Sequence, residues 1–264
     1  MLVVLQRSKE EVSWQAAQIV AGSIRRKPSL RLGLATGGTM VGVYRELVKM
    51  HRESGLDFSR VVTFNLDEYL GIAPTHPQSF HHFMEEHLFS RVNIPRANIH
   101  LPDGTLSGNY DAYCEKYEEA IRDAGGIDLQ LLGIGRNGHI GFNEPMSSLG
   151  SRTRMKELSA ETIEDNRKAF GPGERMPECA ITVGIGTILE TRRILLLATG
   201  ASKADAIAKS IEGPVAASVT ASALQLHRDV TFIVDEQAGA QLTQKPYYEH
   251  VLKMTKALMP ERLS

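Results

Sequence analysis

The chain has 264 residues, 42% of them hydrophobic, and its 30 lysines and arginines nearly balance 31 aspartates and glutamates for a net charge of −1. This length supports one large domain that needs no metal or disulfide, and a near-neutral charge without a basic block argues against nucleic acid or an anionic membrane as the main partner. Two distant cysteines, no signal sequence and no apolar run of about 20 residues predict a soluble, reduced, cytoplasmic protein.

Apolar runs alternate with amphipathic stretches along the chain, which is typical of a βαβ series. Helices are predicted at residues 8–25, 40–53, 79–89, 110–124 and 203–211. Strands are predicted at residues 30–35, 61–65, 127–134, 180–183, 193–199, 219–221 and 230–234. The alternation therefore predicts a single α/β domain, residues 1–264, with a mostly parallel central sheet.

The polar segment 147–177 interrupts this alternation. It contains a helix-like patch at 159–170 and a GPG turn at 171–173. A long polar excursion predicts a mobile lid rather than sheet, with an ordinary surface helix on long connections as the alternative.

The first central strand leads into the turn Thr36-Gly37-Gly38-Thr39 and then into a helix. Glycines allow a tight turn, and the free N–H groups at a helix N-terminus favour an anion. The turn lacks the spacing of a P-loop or a dinucleotide-binding loop, so it predicts either a phosphate cradle or a plain connection.

The second strand ends just before Asp67 and Glu68. Adjacent residues of an extended backbone point in opposite directions, so only one of the two acids is expected to face a site. Asp67 is the candidate general base, and an aspartate that stabilises a turn is the alternative.

The third strand leads into GRNGHIGFNEP, residues 135–145, the most informative segment of the chain. Within it lie the imidazole of His139, the carboxylate of Glu144 and the amides of Asn137 and Asn143. Ligands of open α/β sheets bind beyond the carboxyl ends of the strands, so this segment predicts acid–base chemistry. The alternative is a polar loop whose histidine ties down its own backbone.

A later strand ends in a glycine turn that opens a helix with Lys203 in its first turn. The helix dipole disfavours a cation there unless an anionic ligand offsets it, so Lys203 is a candidate phosphate contact; a solvated lysine is the alternative. Together the four strand ends predict acid–base chemistry on a small phosphorylated substrate without a metal. His82 and His87 are five residues apart, which disfavours a zinc site on one helical face.

Seven motifs, in uninterrupted order between residues 30 and 235, resemble those of the glucosamine-6-phosphate deaminase family. They are LATGGT, VVTFNLDEYLG, HPQSFHHFM, GIGRNGHIGFNEP, SRTRMKEL, AITVGIGT and GASKADAI. The resemblance implies a Rossmann-like three-layer α/β/α sandwich and conversion of glucosamine 6-phosphate to fructose 6-phosphate and ammonia, without a cofactor.

The resemblance also implies roles for individual residues. Asp67 would move a proton between C2 and C1, while His139 would assist ring opening with Glu144 to orient and polarise it. Lys203 and Arg167 would hold the phosphate beside the Thr36–Thr39 turn.

Position 137 departs from the family pattern, in which many members carry aspartate beside the histidine. Asn137 is expected to orient the imidazole through its side-chain carbonyl but not to stabilise imidazolium with a full charge. We interpret this as tuning of the histidine rather than loss of activity.

A second group of residues, in SSLGSRTRMK, resembles the site through which hexameric members sense N-acetylglucosamine 6-phosphate. These residues are Ser147, Ser148, Arg154 and Lys156. The resemblance leaves allosteric control and homo-oligomer formation open. Three other functions also remain open, namely a 6-phosphogluconolactonase-like hydrolase, a deaminase of the galactosamine isomer and a non-catalytic sugar-phosphate sensor.

Overall fold

The computed structural model describes residues 1–264 and contains ten strands. In chain order they are β1 Leu2–Gln6, β2 Arg31–Leu34, β3 Val62–Asn65, β4 Asp67–Tyr69, β5 Ile99–His100, β6 Leu129–Leu132, β7 Arg154–Glu157, β8 Cys179–Thr182, β9 Ile194–Ala198 and β10 Val230–Asp235. Seven of them form the central sheet in the order β1-β10-β9-β6-β2-β3-β5, and every neighbouring pair is parallel. The chain turns to opposite sides of the sheet from β2 and β6, so a crevice is expected beyond the carboxyl ends of these two strands.

Eight α-helices accompany the sheet. They are α1 Lys9–Arg26, α2 Gly38–Ser54, α3 Phe80–His87, α4 Tyr110–Asp123, α5 Ala160–Arg167, α6 Ile185–Leu189, α7 Ala204–Ile211 and α8 Lys245–Leu258. Every residue of β6, β9 and β10 is buried, which requires cover on both faces of the sheet. The predicted α/β fold with a mostly parallel sheet and flanking helices is confirmed. None of these helices has the length and apolar character needed to cross a bilayer.

The strand predicted at residues 219–221 is wrong. Residues Thr220–Leu226 form a 3₁₀ helix, in which the Thr220 hydroxyl donates to the Asn143 carbonyl over 2.7 Å and the Ala221 N–H donates to the Gly138 carbonyl over 2.9 Å. The segment is apolar because it packs beneath the 135–145 loop, not because it pairs in a sheet. The sequence analysis also missed strand β1 and helix α8.

The segment 147–177 contains a strand, contrary to the expectation of a lid without sheet. Strand β7 pairs antiparallel with β8, which pairs antiparallel with β4 in a second, three-stranded sheet. The four residues of β7 are polar or half-buried and show no alternating pattern, which explains why the sequence did not predict it. The helix expected at 159–170 is present as the shorter α5.

Candidate active site

A cavity of about 520 Å³ lies at the carboxyl ends of four central strands. Its walls include the Thr36–Thr39 turn after β2, Asp67 after β3, His139 from the loop after β6 and Lys203 after β9. The structure thus brings together side chains that lie up to 167 positions apart in sequence (36 to 203).

The Thr36–Thr39 turn presents the N-terminus of α2 to this cavity. Gly37 precedes the helix with φ of 107°, a conformation that favours glycine, and no side chain caps the helix. The first turn also lacks an acidic residue. Its free backbone N–H groups and the positive end of the helix dipole therefore suit an anion.

Asp67 is a buried carboxylate, 6% exposed, that makes no hydrogen bond to another residue. Burial, with a smaller contribution from Glu68, raises the pKa of Asp67 to about 8. An unpaired carboxylate with a raised pKa, facing a cavity, has the environment of a general base.

Glu68 points away from Asp67, as the extended backbone predicts. Its carboxylate accepts the backbone N–H groups of Tyr69, Phe80 and His81 over 2.9–3.0 Å. Burial raises the pKa of Glu68 to about 7 although these hydrogen bonds oppose the change. Glu68 therefore fixes the start of α3 to β4, while Asp67 stays free.

A backbone hydrogen bond joins the two ends of the short loop that carries His139. The Gly135 N–H donates to the His139 carbonyl over 2.8 Å, and a Cβ at position 135 would overlap the imidazole ring. Glycine is therefore required at position 135 for the ring to occupy its place. The ring Nδ1 lies 3.4 Å from Glu144 Oε2, so carboxylate and imidazole form a close pair behind the cavity wall.

Glu144 has the opposite electrostatic environment to Asp67. Burial alone would raise the pKa of Glu144, but His139, Thr162 and the Ser159 N–H together lower it to about 2. Asn137 Nδ2 also approaches Glu144 Oε2, at 3.2 Å. Glu144 is therefore ionised at neutral pH and suited to hold the imidazole.

Asn137 contacts the histidine differently from the sequence-based expectation. Its side-chain carbonyl accepts the backbone N–H of His139 over 3.2 Å instead of contacting the ring. A position two residues before the histidine lets an asparagine bind the backbone in a short turn, which explains the difference. Asn137 thus supports the imidazole through the loop and through Glu144.

Asn143 is fully buried, and its side-chain amide N–H groups donate to the Ile140 and Val183 carbonyls.

Lys203 and Arg136 supply positive charge at the cavity. Burial lowers the pKa of Lys203; nearby Asp165 opposes that change and Arg136 adds to it. Arg136 lies 3.2 Å from both Glu161 and Asp165 of α5. The sequence analysis missed Arg136, although its place between the third strand and His139 could have indicated it.

Arg167 is not brought to the cavity. It lies exposed in the last turn of α5, whereas Thr162, Asp165 and Asn166 of the same helix line the cavity wall. Helical residues project in different directions around the axis, so a short helix can present some positions and turn its neighbours away. Lys9, from the start of α1, is a further wall residue that the sequence analysis missed.

The four residues of the second predicted anion site lie outside the cavity wall. Arg154 donates to the Asn143 side chain over 2.9 Å, and Lys156 lies 3.2 Å from Glu157. The Ser148 hydroxyl accepts the Gly150 N–H, while the buried Ser147 hydroxyl makes no hydrogen bond.

No group of three or more histidine, cysteine or acidic side chains has the arrangement of a metal site. Both cysteines, Cys114 and Cys179, are unpaired. The groups available at the cavity are therefore a carboxylate, an imidazole–carboxylate pair, backbone N–H groups and cations.

Known proteins are similar to this chain in sequence. A family model described as glucosamine-6-phosphate isomerases/6-phosphogluconolactonase matches residues 6–233. A glucosamine-6-phosphate deaminase of Shewanella loihica is 50% identical over 251 residues, which cover 95% of this chain and 93% of the relative. One from Cellvibrio japonicus is 48% identical over 259 residues, or 98% of each chain.

Solved structures give the same result. A protein described as a monomeric glucosamine-6-phosphate deaminase is 43% identical with a TM-score of 0.88, over 91% of this chain and 99% of that one. A 6-phosphogluconolactonase of Thermotoga maritima, 21% identical with a TM-score of 0.71 over 89% of this chain and 99% of that one, shares the fold. The chain belongs to the glucosamine-6-phosphate isomerase/6-phosphogluconolactonase family.

Proposed function

We propose that this protein is an enzyme that converts glucosamine 6-phosphate and water to fructose 6-phosphate and ammonia. The observation that carries the proposal is the unpaired carboxylate of Asp67, which shares one cavity with His139 and with the open N-terminus of α2. Relatives about half identical over nearly the whole chain, described as glucosamine-6-phosphate deaminases, support the same substrate.

The substrate phosphate binds at the Thr36–Thr39 turn and Lys203. The backbone N–H groups of the turn and the positive end of α2 meet the dianion, and Lys203 adds a charged hydrogen bond. These contacts hold the sugar with its C1 and C2 atoms toward the deeper groups of the cavity.

His139 opens the sugar ring. The imidazole takes the proton of the C1 hydroxyl and returns a proton to the ring oxygen as the C1–O bond breaks. Glu144, ionised and 3.4 Å from Nδ1, orients the ring and stabilises imidazolium in the intermediate state.

Asp67 carries out the isomerisation of the open-chain sugar. Its carboxylate takes the proton from C2 while a proton of the substrate ammonium passes to O1, which gives the enolamine. Asp67 then returns the C2 proton to C1, which leaves a protonated imine at C2. Water adds at C2 and ammonia leaves, which gives the ketose. The substrate ammonium near Asp67 favours the ionised carboxylate, so the pKa of the base falls on substrate binding.

Three alternatives make different demands on the same cavity. A lactonase needs a base for water but no carboxylate to move a carbon-bound proton, and six solved structures described as 6-phosphogluconolactonases are 16–21% identical to this chain. A non-catalytic sensor needs neither Asp67 nor the His139–Glu144 pair. A deaminase of the galactosamine isomer would use the same groups with a different contact to O4.

One assay separates these functions. The purified protein is incubated in parallel with glucosamine 6-phosphate, galactosamine 6-phosphate and 6-phosphogluconolactone, and ammonia, ketose phosphate and acid release are measured. We expect equal amounts of ammonia and fructose 6-phosphate from the first substrate alone. Lactone hydrolysis without ammonia release, or binding without turnover, would contradict the proposal.

We further propose that, within the segment 147–177, the part that follows β7 closes over the bound substrate and that this movement brings Arg167 to the phosphate. Allosteric control through Ser147, Ser148, Arg154 and Lys156 remains a hypothesis that kinetics tests. Sigmoidal kinetics that become hyperbolic with N-acetylglucosamine 6-phosphate would support it, and hyperbolic kinetics that do not respond to that effector would contradict it.

Sedimentation would show whether the chain forms a homo-oligomer. We propose a cytoplasmic location, in keeping with two free thiols.

A further inference from the structure

A second cavity, of about 310 Å³, lies between α2 and the stretch from His87, the last residue of α3, to Arg91, and it shares no residue with the first cavity. Its wall contains one carboxylate, Glu53, and four permanent cations: Arg45, Lys49, Arg52 and Arg91. The whole chain has a net charge of only −1. This cavity, which we call the α2–α3 groove, is therefore a local concentration of positive charge.

Three of the four cations follow one another along a single face of α2. Arg45, Lys49 and Arg52 are spaced i, i+4 and i+7, so their side chains are neighbours on the helix surface. Like charges at these spacings repel each other and destabilise the helix. Arg91 adds a fourth positive charge from across the groove.

These cations are not needed to balance charges within the fold. Only Arg45 forms an ion pair, with Glu46 at the long distance of 3.9 Å. By contrast, Arg31 lies 2.8 Å from Asp128 and Arg152 lies 2.6 Å from Glu118. A cation in the last turn of a helix offsets the helix dipole, but among the cations of the groove only Arg52 occupies that turn of α2.

We propose that the α2–α3 groove binds a small polyanion that carries two or more phosphate groups. The backbone positions of Arg45 and Arg52 lie about 10 Å apart along the helix axis, and the four cations of the groove outnumber the charges of one phosphate. A ligand with two or more spread phosphates therefore matches the groove better than a single phosphate does. Arginine forks match phosphate oxygens in pairs, and such a ligand removes the repulsion along α2. The site lies outside the cavity assigned to the reaction and does not depend on the proposed function.

Calorimetric titration with tripolyphosphate at low salt tests this site. We expect Lys49→Ala/Arg52→Ala to weaken binding at least tenfold while kcat and KM stay within about twofold of the native values. The matched control is Lys253→Ala/Lys256→Ala on α8, which removes the same charge at the same i, i+3 spacing from two exposed positions. It should bind tripolyphosphate like the native protein.

Lys203→Ala distinguishes the groove from the active site, because it removes a cation of the first cavity only. Retention of tripolyphosphate binding in that variant supports the groove, and loss of binding there would overturn the proposal. Equal binding by the groove variant and its α8 control, or binding of an RNA oligonucleotide without binding of tripolyphosphate, would also overturn it. Arg52→Gln provides a milder variant if the double substitution impairs folding.

Discussion

Asp67 lies in the cavity wall and Glu144 lies behind it, next to His139; both are buried carboxylates, and their surroundings shift their pKa values in opposite directions. Asp67 has no hydrogen-bond partner, and its pKa rises to about 8. Glu144 is surrounded by His139, Asn137 and Thr162, and its pKa falls to about 2. Two carboxylates whose environments separate their pKa values are suited to different tasks. The one left without partners can exchange a proton, and the one with partners can hold a charge in place.

The largest expected effect comes from removing the unpaired carboxylate. Asp67→Asn should lower kcat by about 10²–10⁴-fold, the usual contribution of a general base, with little change in KM. Steady-state kinetics on glucosamine 6-phosphate measures both constants. If KM rose while kcat stayed unchanged, Asp67 would be a binding group, and its raised pKa would not indicate a role as the general base.

The same two carboxylates should make opposite contributions to how the stability of the fold changes with pH. The Asp67 carboxyl ionises near 3.8 in the unfolded chain but near 8 in the folded one, so its contribution lowers stability as pH rises through that window. Asp67→Asn should remove this pH dependence of the free energy of unfolding. At pH 9 the variant should be more stable than the native protein, by a margin on the order of several kcal/mol.

Glu144 should show the reverse dependence on pH. Its lowered pKa contributes stability that is present above about 4.5 and is lost as pH falls toward about 2. Glu144→Gln should therefore be the less stable protein at pH 7 and approach the native protein in acid. Denaturant unfolding of the native protein and both variants at pH 3, 5, 7 and 9 measures these slopes. Parallel stability curves for the two variants would contradict the assigned environments.

Lys203 tests whether substrate binding is separate from the acid–base groups. Lys203→Ala should raise KM by about 10–100-fold, corresponding to the roughly 1.5–3 kcal/mol of one charged hydrogen bond, and leave kcat nearly unchanged. Kinetics at saturating substrate provides the check. An equal collapse of turnover would place Lys203 with Asp67 among the groups that act on the reacting atoms.

The smallest expected effect concerns Asn137, which contacts Glu144 and the His139 backbone. Asn137→Asp brings a second negative charge to Glu144 and the imidazole, which should favour imidazolium. We expect an active enzyme whose acid limb of kcat/KM moves by less than about one pH unit. An inactive native protein, with activity restored by this single substitution, would overturn our interpretation of Asn137.

The sequence predicted which residues would meet at one cavity where a polar residue follows a buried strand. Apolar runs that precede Gly37, Asp67 and His139 mark β2, β3 and β6, and a parallel sheet brings the carboxyl ends of such strands to one edge. The division between Asp67 and Glu68 likewise follows from the alternation of side chains along extended backbone. These inferences needed only local pattern and topology.

The sequence did not predict features that depend on how short elements are oriented in space. Strands β4 and β7 have three and four residues, too few to show a period of two, so the second sheet was missed. Arg167 sits on a helix of eight residues, and its spacing alone does not say which way it points. The α2–α3 groove combines three cations of α2 with Arg91, which follows α3 in the chain and which only the tertiary packing brings near them.

The second sheet has a mechanical consequence for the site. Asp67 belongs to β4, which is joined through β8 to β7, the strand just before α5. We therefore expect the proposed movement of α5 to hinge after Glu157 and not before Arg154, because separating β7 from β8 would also loosen the backbone that positions Asp67. Amide hydrogen exchange should show 67–69 and 154–157 opening together and slowly, with 160–176 exchanging ahead of them.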